Sequence, residues 1–175
     1  MIKVIIENTI QWDTLLFQRI FGWNGKKMLD RGMLLLTHSG DGYLYGIIAL
    51  ILLLMNPHSG FGFLFAGGVA FAVEIPAYLL LKKYVRRDRP YEVLKGIEFL
   101  IKPPDKFSFP SGHTTAAFVM AILLSGVLQI AIFPLFLWAG LVGISRVYLG
   151  VHYPGDVIAG MVLGVLCGLL GLAVV

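Results

Sequence analysis

A chain of 175 residues that is 58% hydrophobic and 14% charged, with a mean hydropathy of +0.83, is too apolar for a soluble globular domain, where about a quarter of residues are charged. The stretches 42–73, 107–145 and 157–175 hold no Lys, Arg, Asp or Glu. One helical span takes roughly 20 apolar residues, so this is an integral membrane protein. The formal net charge is +4, and the single cysteine, Cys167, excludes an internal disulfide and a cysteine-based metal cluster, leaving packing as its expected role.

Residues 1–22 lack a compact apolar core followed by a small-residue cleavage site, and Glu7, Asp13 and Arg19 interrupt them, so no cleavable signal peptide is expected. The segment TLLFQRIF (14–21) is amphipathic and fits either a membrane span or a helix lying in the interface. RGMLLLTHSG (31–40) reads as a short helix leading into the apolar run 42–55. That run covers only about 21 Å by helical rise, so either the span begins earlier or the bilayer thins there. The next run, 61–84, contains Pro76, which should kink it. Residues 86–109 are a polar excursion. Runs 112–130 and 131–149 follow, separated by a tight turn, and 154–175 closes the chain. Gly160, Gly164 and Gly168 recur every four residues in the last run, a spacing that lets helix backbones approach closely, for bundle packing or dimerisation. The expectation is an all-α polytopic bundle of about six transmembrane helices, five clear and the N-terminal one open, forming a single domain over 1–175.

Alternating spans put the end of 61–84, the start of 112–130, the end of 131–149 and the start of 154–175 on one membrane side. Topology therefore gathers Lys82, Arg89, Ser111, His113, Arg146, His152 and Asp156 at one surface. Each has an ordinary reading as well. Lys82 and Arg89 fit interfacial anchors, Ser111 an N-cap, His113 a hydrogen-bonded interior histidine, and His152 with Asp156 a loop clasp. Lys82 and Arg89 lie seven residues apart, about two helical turns, and would share a face if the helix continued.

The conjunction argues for more, because polar groups at membrane depth are costly and mark function. A helix start offers free N–H groups and a positive dipole end, and Gly112 lets its backbone come close to a bound oxygen. Arg89 and Arg146 suit paired hydrogen bonds to phosphate oxygens, with Lys82 as a point charge. Asp156, four residues after His152, suits holding one ring nitrogen while the other attacks, and His113 suits protonating a departing oxygen.

Three blocks carry a resemblance. Lys82 to Pro90 is Lys, six residues, Arg-Pro; residues 110–113 are Pro-Ser-Gly-His; residues 145–156 are Ser-Arg, five residues, His, three residues, Asp. In this order they resemble the type 2 phosphatidic acid phosphatase superfamily at every motif position. The resemblance implies a six-helix membrane bundle and a metal-independent lipid phosphatase that needs no cofactor. It implies His152 as the nucleophile of a phosphohistidine, Asp156 as its orienting partner and His113 as the acid. Lys82, Arg89, Ser111, Gly112 and Arg146 would hold the phosphate oxygens.

The expected partner is a phosphate-bearing membrane lipid within the bilayer, and no nucleic acid. His38 and Asp41 are expected near the mouth of the site, and, separately, chain length and the LTHSGDGYLYG stretch lean toward lipid A 1-phosphate. Undecaprenyl diphosphate and phosphatidylglycerophosphate are the alternatives. Vanadate-dependent haloperoxidases share the cradle but are soluble-type chains; a non-catalytic lipid-binding or transport protein would not need both histidines with the aspartate.

The resemblance places the protein in a bacterial inner (plasma) membrane, multi-pass, with the site facing the periplasm or outside. The charge distribution pulls the other way. Twelve of the fourteen Lys and Arg residues fall from Lys26 to Arg146 in segments on the site side, and the opposite loops, 56–60 and 129–131, have none.

Overall fold

The computed structural model describes residues 2–175, with side chains from residue 10 onward; the side chain of Glu7, read above as a charge interrupting an apolar run, lies outside that description. The element order is α1 (Ile2–Phe21), α2 (Lys27–Ser39), α3 (Gly42–Met55), α4 (Pro57–Val85), the single turn α5 (Pro90–Val93), α6 (Gly112–Leu128), α7 (Ile132–Tyr148) and α8 (Pro154–Leu172). No strand occurs among the described residues.

α4 and α8 are each long and apolar enough to cross a bilayer. α2 and α3 meet at 56° and together reach the length and hydropathy of a further span, as one broken span or a re-entrant pair. α6 and α7 have 17 residues each, about 26 Å by helical rise against a hydrocarbon core of roughly 30 Å. α4 runs unbroken through Pro76, which removes one N–H from the ladder without ending the helix. At its other end Pro57 occupies the first turn, and the Asn56 side chain accepts a bond from Ser59 N at 3.2 Å, closing the hairpin from α3.

α6 is the centre of the bundle, packed against α4, α7 and α8. It is apolar all round, and Ala117 to Leu123 are buried without interruption. Tyr45, Phe63, Ala66, Ala70, Val119, Met120, Leu123 and Cys167 form one core cluster between α3, α4, α6 and α8, so Cys167 packs as expected. The exposed side chains of α3, α4, α7 and α8 are themselves apolar: Leu54, Phe61, Leu79, Phe133, Ile158 and Leu166 face outward. That inside-out distribution suits lipid as the surrounding solvent.

The glycine stripe of α8 is a packing device. A Cβ at Gly160 would stand 2.7 Å from the Ser111 carbonyl oxygen, one at Gly164 would collide with the Thr115 carbonyl, and one at Gly168 would meet Ile122 at 2.8 Å. α8 therefore lies against α6 backbone to backbone. α1 contributes Phe17, buried against Val147 and Tyr153, while Trp12, Leu15 and Leu16 remain exposed.

Gly160→Ala should lower the melting temperature in detergent by an amount corresponding to about 1–3 kcal/mol, because the atom it must displace is backbone. Gly140→Ala, on α7 with nothing within 4 Å of the added carbon, should be neutral or stabilising by up to about 1 kcal/mol. Equal effects at the two positions would contradict the packing described.

Candidate active site

The last turn of α4 carries Lys82, buried at 6% exposure. Arg86 then takes the left-handed backbone conformation (φ 48°, ψ 40°) and ends the helix. Arg89 is extended (φ −80°, ψ 155°), as befits a residue preceding proline, and caps α5, with its N–H bonded to the Glu92 carboxylate at 3.1 Å. Lys82 and Arg89 thus do not share a helical face. They converge because the chain turns back, and because both reach the carboxylate of Asp105 in the 94–111 segment.

Asp105 Oδ1 accepts from Lys82 Nζ at 2.5 Å and from Arg89 Nη2 at 2.6 Å, and Oδ2 accepts from the Tyr78 hydroxyl at 2.8 Å. Burial alone would push the Asp105 carboxyl up. The hydrogen bonds from Lys82 and Tyr78 and the charges of Lys82 and Arg89 outweigh it and hold the group below its ordinary value. Lys82 also donates to the Phe107 carbonyl at 2.6 Å. Arg89 Nε donates to the carbonyls of Asp105 and Lys106 at 3.2 and 3.3 Å, and Nη1 to that of Val151 at 2.7 Å.

Between α7 and α8 the chain turns at Gly150 (φ 81°), where a Cβ would also sit 3.0 Å from the Phe21 ring. This turn delivers His152, almost fully buried, with Nε2 3.4 Å from Arg89 Nη1 and Nδ1 3.6 Å from Asp156 Oδ2. The imidazole therefore lies beside the carboxylate at a distance longer than a hydrogen bond, and its Nδ1 has no other partner among the described residues.

Asp156 is held from several directions. Oδ2 accepts from the Tyr153 N–H at 2.8 Å and Oδ1 from Arg87 Nη1 at 2.9 Å. Its backbone carbonyl accepts from the Ser111 N–H at 3.0 Å, tying the start of α8 to the start of α6. Arg87 is anchored in turn by Asp13 of α1 at 2.6 Å and lies over the Tyr153 ring at 3.9 Å. Asp13 also accepts from the Gly155 N–H at 2.7 Å.

Ser111 stands at the N-cap position of α6 but makes no side-chain cap bond; its hydroxyl accepts from Thr114 Oγ1 at 2.9 Å. Gly112 lies under the Tyr78 ring, with about 3.0 Å to where a Cβ would be. His113, on the partly exposed rim, pairs through Nε2 with Asp41 Oδ1 at 3.1 Å, and His38 Nδ1 meets the other oxygen of Asp41 at 2.9 Å. Arg146 is buried on α7, donating from Nη1 to Thr37 Oγ1 at 2.6 Å, and its Nε has no partner among the described residues. A buried guanidinium N–H without an acceptor is costly, and an anion would satisfy it.

The eight residues singled out in the sequence thus occupy one end of the bundle. Arg89, Arg146, Ser111, His152 and Asp156 form a buried floor, and His113, Asp41 and Asp105 form a partly exposed rim. Reading the sequence missed Arg87, Asp105, Tyr78, Asp13 and Thr37. Arg87 lay within the basic run 82–89, and Asp105 stood alone between Pro104 and the Pro-Ser-Gly-His block, so neither was marked out by its neighbours. Asp13 looked like a defect in an apolar run. Among the described residues no three His, Cys, Asp or Glu side chains are grouped to hold a metal ion.

The sequence pattern of the PAP2 superfamily matches residues 58–175. The chain is 35% identical over 136 residues to decaprenylphosphoryl-5-phosphoribose phosphatase of Mycobacterium tuberculosis, covering 76% of this chain and 73% of that protein. It is 31% identical over 162 residues to the undecaprenyl-diphosphatase BcrC of Bacillus subtilis, covering 89% and 80%. Among solved structures it resembles Aquifex aeolicus LpxE with a TM-score of 0.76 and 29% identity, covering 91% of this chain and 94% of that one.

Burial lowers the His152 pKa from 6.5 to about 4; the Arg146 and Arg89 charges push the same way, against the pull of Asp156. The ring is thus neutral at physiological pH. The unfolded chain takes up the proton near 6.5 and the folded one only near 4, so this group makes the fold less stable as pH falls through that window. In protein carrying isotope-labelled histidine, the His152 resonance should titrate near 4. A midpoint near 6.5 would contradict the burial described.

Proposed function

The chain belongs to the PAP2 superfamily, and from that premise we propose that His152 attacks the phosphorus of a membrane-lipid phosphate and carries it as a phosphohistidine. The protein is a lipid phosphatase, a phosphoric ester hydrolase, which sets aside the non-catalytic binding or transport reading. One observation carries the assignment of the nucleophile. His152 Nδ1 faces the Asp156 carboxylate while Nε2 faces a guanidinium donor, so the proton belongs on Nδ1 and the lone pair on Nε2. Hydrogen bonds of this kind are often long without substrate and tighten when it binds.

The steps balance without a redox partner. The Nε2 lone pair forms the P–N bond as the bond from phosphorus to the leaving oxygen breaks, and His113 gives that oxygen a proton. His113 then takes a proton from water, whose oxygen attacks phosphorus; the P–N bond breaks and inorganic phosphate leaves. Lys82, Arg89 and Arg146, with the Ser111–Gly112 helix start, face the charge on the phosphoryl oxygens, where fixed donors contribute several kcal/mol. Asp41 pairs with His113 at 3.1 Å, suited to keeping its ring oriented.

The substrate class supported best is a polyprenyl-linked phosphate or diphosphate, because two relatives are named for such lipids. The leaning to lipid A 1-phosphate rests on chain length and the LTHSGDGYLYG stretch alone. The site is read as facing the periplasm or outside of a bacterial inner membrane, with the basic residues serving phosphate instead of topology.

Four measurements test this reading. Labelled phosphate from a lipid substrate should be trapped on His152 under acid-free quench; trapping on another residue overturns the assignment. Asp156→Asn should reduce kcat roughly 10²- to 10⁴-fold with KM changed far less, because the shape is kept and the tautomer control is lost. Phosphate release from a panel of polyprenyl diphosphate, lipid A and phosphatidylglycerophosphate should be fastest for the polyprenyl lipid and unaffected by EDTA. For sidedness, Lys102→Cys should react with a membrane-impermeant maleimide in intact cells; protection until lysis would place the site inside.

A further inference from the structure

We propose that the Asp105 carboxylate is a built-in stand-in for the substrate's phosphate: it occupies the Lys82–Arg89 cation pair when the site is empty and swings out when a phosphate enters. The inference rests on the reading of Lys82 and Arg89 as phosphate-holding residues, and adds a competitor inside the chain for the same place.

The geometry is that of a bound anion. A single oxygen, Oδ1, bridges Lys82 Nζ at 2.5 Å and Arg89 Nη2 at 2.6 Å, as a phosphoryl oxygen would. The remaining donors of Arg89 are committed. Nε serves two backbone carbonyls and Nη1 serves Val151 O, with His152 Nε2 on its other side at 3.4 Å. The Nη2 group is the donor left for a ligand, and Asp105 takes one of its two N–H groups. A ligand oxygen that bridges both cations as Oδ1 does takes the position of Oδ1. That position adjoins the proposed nucleophile through the same guanidinium.

Exposure gives the direction of movement. The Lys82 and Arg89 side chains are 8% and 1% exposed, whereas that of Asp105 is 33% exposed. The cations are the fixed floor and the Asp105 side chain lies on the open side, while the backbone that carries it stays bonded to the same cations. The Tyr78 hydroxyl, at 2.8 Å from Oδ2, is the latch on its outer oxygen. The arrangement has a physical motive. Two buried cations side by side repel each other and lack their hydration, and a displaceable carboxylate compensates both. Its consequence is a weaker apparent affinity for every phosphate ligand, by the fraction of time the cradle is uncovered. The released product, inorganic phosphate, meets the same competitor, which favours turnover over product retention.

The test compares inhibition of wild-type enzyme and of Asp105→Asn by inorganic phosphate and by orthovanadate, with thermal melts alongside. Asn keeps the shape but removes the charge that competes. The inhibition constant for phosphate should fall on the order of tenfold, and KM for the lipid should fall in the same direction. Tyr78→Phe removes only the latch and should lower both by about two- to threefold; it decides the matter if Asp105→Asn does not fold. An inhibition constant that stays or rises in variants with a native melt overturns the proposal, since the carboxylate then serves to orient the cations. If wild-type protein neither releases phosphate from lipid nor binds vanadate, the phosphatase reading itself fails and the stand-in falls with it.

Discussion

Burying cations at the ends of apolar helices is the constraint on which this structure turns. Lys82, Arg89 and Arg146 all lie within a few per cent of full burial, in a protein whose outer surface is matched to lipid. An unpaired charge in such a place costs several kcal/mol, and every nearby irregular segment can be understood as supplying an acceptor for it. The 94–111 segment brings the Asp105 carboxylate and the carbonyls of Asp105, Lys106 and Phe107 to Arg89 and Lys82. The turn after α7 brings the Val151 carbonyl, and α2 brings Thr37 to Arg146. What remains unpaired, Arg146 Nε, is the kind of group a phosphate oxygen would complete.

Helix packing and site geometry are coupled through one contact. α8 approaches α6 along Gly160, Gly164 and Gly168, and at the top of that seam the Ser111 N–H meets the Asp156 carbonyl at 3.0 Å. The same first turn of α8 orients Asp156 toward His152, and the same first turn of α6 carries Gly112 and His113. A shift of either helix therefore moves the proposed nucleophile, its carboxylate and the proposed acid together. Arg87 and Asp13 extend the coupling to α1, so the amphipathic N-terminal helix braces the buried carboxylate from outside the main bundle.

Most of the architecture was legible because bilayer-length apolar runs and turn signals are local. The runs at 42–55, 61–84, 112–130, 131–149 and 154–175 correspond to α3, α4, α6, α7 and α8 within a few residues. The helix whose continuation would have put Lys82 and Arg89 on one face does not continue, because the conformations of Arg86 and Arg89 break it before the second residue is reached. Pro90 carried that warning. Arg87 was hidden by its neighbours, since a run of basic residues at a span end reads as interfacial anchoring. Asp105 was hidden by its solitude, since one carboxylate in a polar loop reads as solvated.

By itself the sequence determined the solvent, the class of fold and the gathering of the polar blocks on one common side, because those depend on hydropathy, span length and parity along the chain. It also named the residues that the resemblance casts as nucleophile, acid and phosphate holders, because their spacing within each block is short and regular. Only the tertiary structure decided which carboxylate faces which cation: Asp105 on Lys82 and Arg89, Asp41 on His113, and Asp156 shared between His152 and Arg87. Charge pairing of this kind joins residues up to 143 positions apart, Asp13 to Asp156 by way of Arg87, and is set by how helix ends and loops fold over one another in three dimensions. No local pattern in the chain encodes that.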